Sequence, residues 1–155
     1  MFPPTCARVR MLGADGLLKS ETPPHWELLN FGSEKVDDFL QSIDFFVYFT
    51  HSCWQESFGR VIAEAIAAGK LVITSRAIAS TFSDSIVAAE PDQIDEIVQG
   101  FVANPENYGA QVRRSQRALA EFGAPAFIRR FEELVQQTRG KPRSLQTRET
   151  LYDFL

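Results

Sequence analysis

A chain of 155 residues with 45% hydrophobic residues and thirteen Phe is long enough for one domain with its own core, and too short for two full ones. The formal net charge of −4 argues against nucleic acid as a partner. The longest apolar runs, such as Ile43 to Thr50 broken by Asp44, fall far short of the roughly 20 residues of a membrane span, and no signal-peptide core opens the chain, so a cytoplasmic globular protein is expected.

In chain order, Arg8 to Leu12 predicts a short strand closed by the turn Gly13-Ala14-Asp15-Gly16, and Trp26 to Phe31 an extended segment. Glu34 to Ser42 predicts a helix with Val36, Phe39, Leu40 and Ile43 on one side. Phe45 to Phe49 is nearly continuous in apolar residues, the pattern of a strand covered on both faces in a parallel sheet. Ser57 to Ala68 collects good helix formers that are apolar on nearly every side, which predicts a buried helix. Leu71 to Thr74 predicts a strand, the stretch to Asp84 is irregular, and Ser85 to Ala89 predicts a further strand. Pro91 opens a helix through Ile94, Ile97, Val98 and Phe101, with Asp92, Asp95 and Glu96 near its positive end. Two more helices are expected over Pro105 to Phe122 and Pro125 to Thr138, the second with Phe127, Ile128, Phe131, Leu134 and Val135 at helical spacing. Strands alternating with helices give an α/β class, a doubly wound parallel sheet, on which ligands bind at the carboxyl ends of strands.

Two acidic groups mark the apolar helix, one at its entrance and one within it. Glu56 and Glu64 flank seven residues in Gln55-Glu56-Ser57-Phe58-Gly59-Arg60-Val61-Ile62-Ala63-Glu64, and a rise of 1.5 Å per residue separates them by roughly 12 Å. That is about the span from a sugar, across a diphosphate, to a ribose. An anionic diphosphate would lie over the helix N-terminus near Ser57, Phe58 and Gly59, where the small Gly59 permits close approach. Glu56 would accept hydrogen bonds from sugar hydroxyls and Glu64 would take both ribose hydroxyls, each a charge-assisted bond. The residues alone leave a plainer alternative: Glu56 as a first-turn acid favoured by the helix dipole, and Glu64 paired with Arg60 one turn earlier. Cys6 and Cys53 lack metal-ligand spacing, and His25 and His51 are too far apart to supply a site, so no metal is expected.

The block from Glu56 to Glu64, continued by Ala65, Gly69 and Leu71-Val72-Ile73-Thr74-Ser75, resembles the Glu-x7-Glu signature of retaining glycosyltransferases of the GT-B fold, which have two Rossmann-like domains. Phe45-Phe46-Val47-Tyr48-Phe49-Thr50-His51-Ser52-Cys53-Trp54 resembles the strand and loop leading into that family's donor site. A looser resemblance reaches back to Met11-Leu12-Gly13 and forward to the helices near Phe131. The resemblance implies the C-terminal, Rossmann-like half of such an enzyme, binding a nucleotide-diphospho-sugar. Transfer would go to a glycan, lipid-linked or small-molecule acceptor, with no cofactor or bound metal. It implies Glu56 as the catalytic position and Ser57, Phe58, Gly59, Arg60, Val61 and Glu64 as donor-binding positions. Further candidates are His51, Trp54 and Ser75, with Thr74 beside it. Each has an alternative role: a loop histidine, an aromatic lid over the core, and residues that serve the strand end. Arg60 is equally suited to a phosphate and to Glu64.

Two departures are mild. Ser57 stands where the family usually has Gly or Pro, and its hydroxyl can still cap a helix or contact a phosphate; Leu71 stands where the family often has Pro. A larger departure is at the front, where the family has a strand and loop whose Arg and Lys neutralise the diphosphate. Met1 to Ala7 is short and holds Pro3 and Pro4. Residues 1–139 are therefore expected to form a nucleotide-sugar-binding domain that begins at its second strand, and residues 140–155 a basic tail in which Pro142 ends the helix. Alone, such a chain is expected to be inactive without an acceptor domain. The competing function is a non-catalytic nucleotide-sugar-binding or regulatory module of the same fold; a nucleotide-sugar epimerase fits the Glu-x7-Glu block less well.

Charge is uneven. From Arg113 onward nine basic residues meet five acidic ones, net +4, leaving −8 before it. Arg113, Arg114, Arg117, Arg129, Arg130, Arg139, Lys141, Arg143 and Arg148 either face an anionic membrane surface carrying an acceptor or form solvated helix faces balanced by Glu121, Glu132 and Glu133. A sheet lacking a strand also predicts a homodimer through its exposed edge.

Overall fold

The structure, a computed structural model, describes residues 8–17, 22–51, 53–54, 56–83 and 85–139. Met1 to Ala7, Ser52, Gln55 and the predicted tail 140–155 lie outside the described residues. Two compact units divide the chain, one reaching to Ala120 and one beginning at Glu121.

In the first unit the order is β1 (Val9–Leu12), β2 (Trp26–Leu29), α1 (Val36–Gln41), β3 (Phe45–Tyr48), α2 (Arg60–Ala67), β4 (Leu71–Thr74), α3 (Arg76–Thr81), β5 (Val87–Ala88), α4 (Ile94–Ala103) and α5 (Pro105–Leu119). Every strand pair is parallel, so each needs a crossover, and α2 and α3 supply those between β3, β4 and β5. This is the expected α/β architecture, drawn as two sheets: β1 with β2, and β3-β4-β5.

β4 organises the core. Its four residues are 0–1% exposed, and alternation sends them to opposite faces. Val72 faces a cluster built by Phe39 and Leu40 of α1, Ile62, Ala65 and Ile66 of α2, and Ile78, Ala79 and Phe82 in and after α3. Leu71 and Ile73 face a second cluster with Ile94 and Val98 of α4 and Tyr108 and Val112 of α5. Leu12, Leu29, Phe46 and Tyr48 pack against the first cluster, so both sheets contribute to it.

Polar groups fasten the first sheet. Arg10 of β1 reaches Glu27 of β2 at 3.0 Å and Glu34, just before α1, at 2.9 Å, and its guanidinium lies 5.5 Å from the centre of the Phe39 ring. One side chain thus ties two strands to a helix.

β3 is covered on both faces, as expected: Phe46 and Tyr48 pack against the first cluster and Phe45, with Phe49 just beyond the strand, against the second, although Val47 is 37% exposed. Among the described residues it pairs with β4 alone. Two expectations need correction. The stretch before Asp84 is not irregular, because Arg76–Thr81 forms α3, which buries Ile78 and Ala79. α1 begins later than expected, and it buries Phe39 and Leu40 while Val36 stays exposed.

In the second unit, α6 (Ala124–Arg139) carries Phe127 and Phe131 stacked at 6.3 Å and 16°. Arg129 and Arg130 converge on Glu121 at 2.9 and 3.2 Å. For these two arginines the balanced helix face is what forms.

Candidate functional site

The site is built where β3 ends. Beyond Tyr48 the chain turns through His51, whose carbonyl accepts the Trp54 N–H at 2.8 Å and whose Nδ1 accepts the Cys53 N–H at 3.2 Å. His51 is therefore occupied in shaping its own loop, and Trp54, 77% exposed, is no lid over the core. The chain then enters Glu56-Ser57-Phe58-Gly59. Gly59 has φ 76° and ψ 59°, a left-handed conformation, and stands immediately before α2. A β carbon on Gly59 would meet Ile62 Cδ1 at 3.0 Å, so the position favours glycine on conformation and on space.

That glycine corrects the helix boundary. α2 starts at Arg60 rather than Ser57, because a left-handed residue cannot continue a right-handed helix. Glu56 is thus not a first-turn residue. Its carboxylate folds over the bend instead: the Tyr48 phenol donates to Oε2 at 2.8 Å and the Ser57 N–H donates to Oε1 at 3.1 Å. These contacts hold the Glu56 carboxyl below its usual pKa, the Tyr48 phenol contributing most, followed by the backbone N–H groups of Gly59, Phe58 and Ser57. In turn the adjacent carboxylate raises the pKa of Tyr48, with burial adding to it. Further along, the Ile62 and Ala63 N–H groups both bond the Gly59 carbonyl, at 2.9 and 3.2 Å. The N–H groups of Arg60 and Val61 remain as the first-turn donors of the helix.

α2 is amphipathic rather than buried all round. Ile62, Ala65 and Ile66 face the core, while Val61 is exposed and Glu64 lies at the margin. Arg60 Nε reaches Glu64 Oε1 at 3.0 Å, with the Arg60 side chain 88% exposed. Of the two roles open to Arg60 the pairing with Glu64 has formed, through one of the two carboxylate oxygens. Phe58 leans on Phe82 at 5.4 Å and 40°, anchoring the bend to the core. On the neighbouring strand, Thr74 is fully buried and its hydroxyl donates to the Tyr48 carbonyl at 2.6 Å, so it is committed to the sheet. Ser75 sits at the start of α3 without capping it.

Glu56, Ser57, Phe58, Gly59, Arg60, Val61 and Glu64 are thus gathered along one bend and helix start, with His51 and Trp54 in the preceding loop. Tyr48 is the participant that sequence reasoning missed. A phenol at the end of an otherwise apolar strand, shortly before an acidic residue, was the available signal.

Glu56 gives the fold a pH dependence, and Glu27, depressed by the Arg10 hydrogen bond first and by Arg8 next, acts in the same direction. A carboxyl with a depressed pKa binds its proton more readily in the unfolded chain. Its stabilising effect is therefore complete at neutral pH and is lost as pH falls through the ordinary value of about 4.5 toward the folded value. The melting temperature is expected to fall between about pH 6 and about pH 3, with a shallower slope in Glu56→Gln. A melting temperature independent of pH over that range would contradict it.

Among the described residues no helix is long and apolar enough to cross a membrane, and no group of three or more His, Cys, Asp or Glu gathers as a metal site. Compared with known proteins, residues 17–129 match the family described as "Glycosyl transferases group 1". A stretch of 41 residues is 56% identical to a Klebsiella pneumoniae protein named "Uncharacterized 42.6 kDa protein in cps region", covering 26% of this chain and 10% of that protein. No solved structure matches.

Proposed function

The chain belongs to the group 1 glycosyl transferases, and we propose that it is the part of a retaining enzyme that binds a nucleotide-diphospho-sugar. The observation that carries this reading is the arrangement of two carboxylates about one helix start: Glu56 before α2, Glu64 one turn inside it, and the Arg60 and Val61 N–H groups between them. A diphosphate would rest on those donors, with the exposed Arg60 within reach. Glu56 would accept hydrogen bonds from the sugar, and the second oxygen of Glu64 would accept from the ribose. The site lies beyond the carboxyl end of β3, where ligands of parallel α/β sheets collect. In this role the protein stabilises the leaving diphosphate by fixed dipoles rather than by proton transfer. The acceptor would be held by a part of the enzyme other than this chain.

The test is a thermal-shift and calorimetry panel of UDP, GDP and ADP, each with and without an attached hexose, on the parent chain and on Glu64→Ala. A ligand at 100 times its Kd stabilises by about 2.7 kcal/mol, which a melting curve resolves. One nucleotide is expected to raise the melting temperature, and Glu64→Ala to weaken it by about tenfold to a hundredfold. Without ligand the variant should melt close to the parent, because the Arg60 pair it loses is solvent-exposed. No response to any of the ligands would overturn the reading for this chain.

A further inference from the structure

We propose that Tyr48 is the positioning residue of this site, holding the carboxylate of Glu56 in the orientation that receives the sugar. The inference rests on the donor-binding reading above.

A glutamate in an exposed bend has three rotatable side-chain bonds and would sample many orientations. Here Oε1 accepts the Ser57 N–H at 3.1 Å and Oε2 the Tyr48 phenol at 2.8 Å, and the backbone N–H groups of Phe58 and Gly59 also act on the carboxylate. The backbone contacts come from the three residues that follow in sequence and belong to the same bend as the glutamate. Only the phenol refers the carboxylate to the sheet.

Tyr48 is itself well fixed. It pairs with Thr74 in the β3-β4 ladder, and its carbonyl accepts the Thr74 hydroxyl at 2.6 Å. Its ring stacks on Phe46 at 6.3 Å and 9°, and it packs against the core cluster. The orientation of Glu56 is thus inherited from the most buried part of the molecule.

The Tyr48 phenol thereby fixes the orientation in which ligand hydroxyls would meet the carboxylate. The nucleoside diphosphate, lying on α2, does not depend on that orientation. Tyr48 should therefore govern the extra affinity that an attached sugar brings and leave the nucleoside diphosphate alone.

Tyr48→Phe keeps the ring and removes only the hydroxyl. Two readouts decide the matter on the full chain. In the free protein, carboxyl carbon NMR of labelled glutamate should place the Glu56 titration below the usual range, and in Tyr48→Phe the midpoint should move upward; an unchanged midpoint overturns the proposal. By calorimetry, the ratio of affinities for the hexose-bearing and the bare nucleoside diphosphate should fall by about tenfold in Tyr48→Phe, while the affinity for the bare nucleoside diphosphate stays as in the parent. An equal loss for both ligands, or no change in the ratio, also overturns it. If the parent binds none of UDP, GDP or ADP or their hexose forms, the donor-binding reading fails on its own, and the Glu56 titration still decides whether Tyr48 sets the carboxylate.

Discussion

Gly59→Val is expected to lower the melting temperature by roughly 5–10 °C and to abolish the thermal response to a nucleotide sugar. A β-branched residue at φ 76° is strained whatever its surroundings. The added β carbon would also press on Ile62, whose Cδ1 lies 3.0 Å and Cγ1 3.5 Å from its place. Relief requires either rotating the bend, which turns Glu56 away from Tyr48, or shifting the start of α2, which moves the Arg60 and Val61 N–H groups. Each route damages the site. Gly59→Asn separates conformation from crowding, since Asn tolerates the left-handed region but carries the same β carbon. It should recover much of the melting temperature. A Val variant that melted within about 1 °C of the parent and still bound ligand would show that the bend does not depend on glycine.

The largest loss of stability is expected from Phe82→Ala, about 3–5 kcal/mol. Phe82 is 0% exposed and packs with Ile62, Ile66 and Ile78 where α2 and α3 meet. Against a total stability of about 5–15 kcal/mol for a domain, such a loss leaves a small margin. Urea denaturation would measure it, and a loss below about 1 kcal/mol would mean that the cluster closes over the cavity. Phe58 also rests on this ring, so the bend bearing Glu56 should loosen with it. Donor affinity would then fall further than the global loss alone accounts for.

What the sequence revealed depended on how local its cause was. Leu71-Val72-Ile73-Thr74 forms a strand with the bounds expected, because four β-favouring residues lie between the flanks Lys70 and Ser75. The alternation of strands and helices, and with it the α/β class, was equally plain. That β3 is covered on both faces is legible in its composition, whereas its pairing is decided by residues far away in sequence and is not. α2 is shorter than its sequence suggests because Ser57 and Phe58 offer no strong stop, and Gly59 reads as merely small. That Gly59 is left-handed follows from the bend as a whole, with Glu56 folded onto its own backbone and Phe58 on Phe82. α3 was overlooked because Ser80 and Thr81 obscure a short helix whose evidence is burial of Ile78 and Ala79. For the candidate site, the carboxylates and the glycine were legible. The Tyr48 contact was not, since it joins a strand to a loop through a side-chain geometry that spacing does not encode.

Among the described residues, five strands shared between two sheets have four unpaired edges where a single sheet would have two. One of these is Phe45-Phe46-Val47-Tyr48, without a Lys or Pro to discourage another chain from adding to it. While the chain folds, that run is open to its copies before α2 and β4 cover one side of it. Productive folding therefore competes with aggregation, and the competition worsens with concentration, so yield should fall as more chain is made or refolded at once. A lysine within the run would be a natural remedy, but Tyr48 at its end carries the hydroxyl that holds Glu56. Solubility and the proposed recognition of a sugar consequently draw on the same strand, and its sequence cannot be tuned for one without regard to the other.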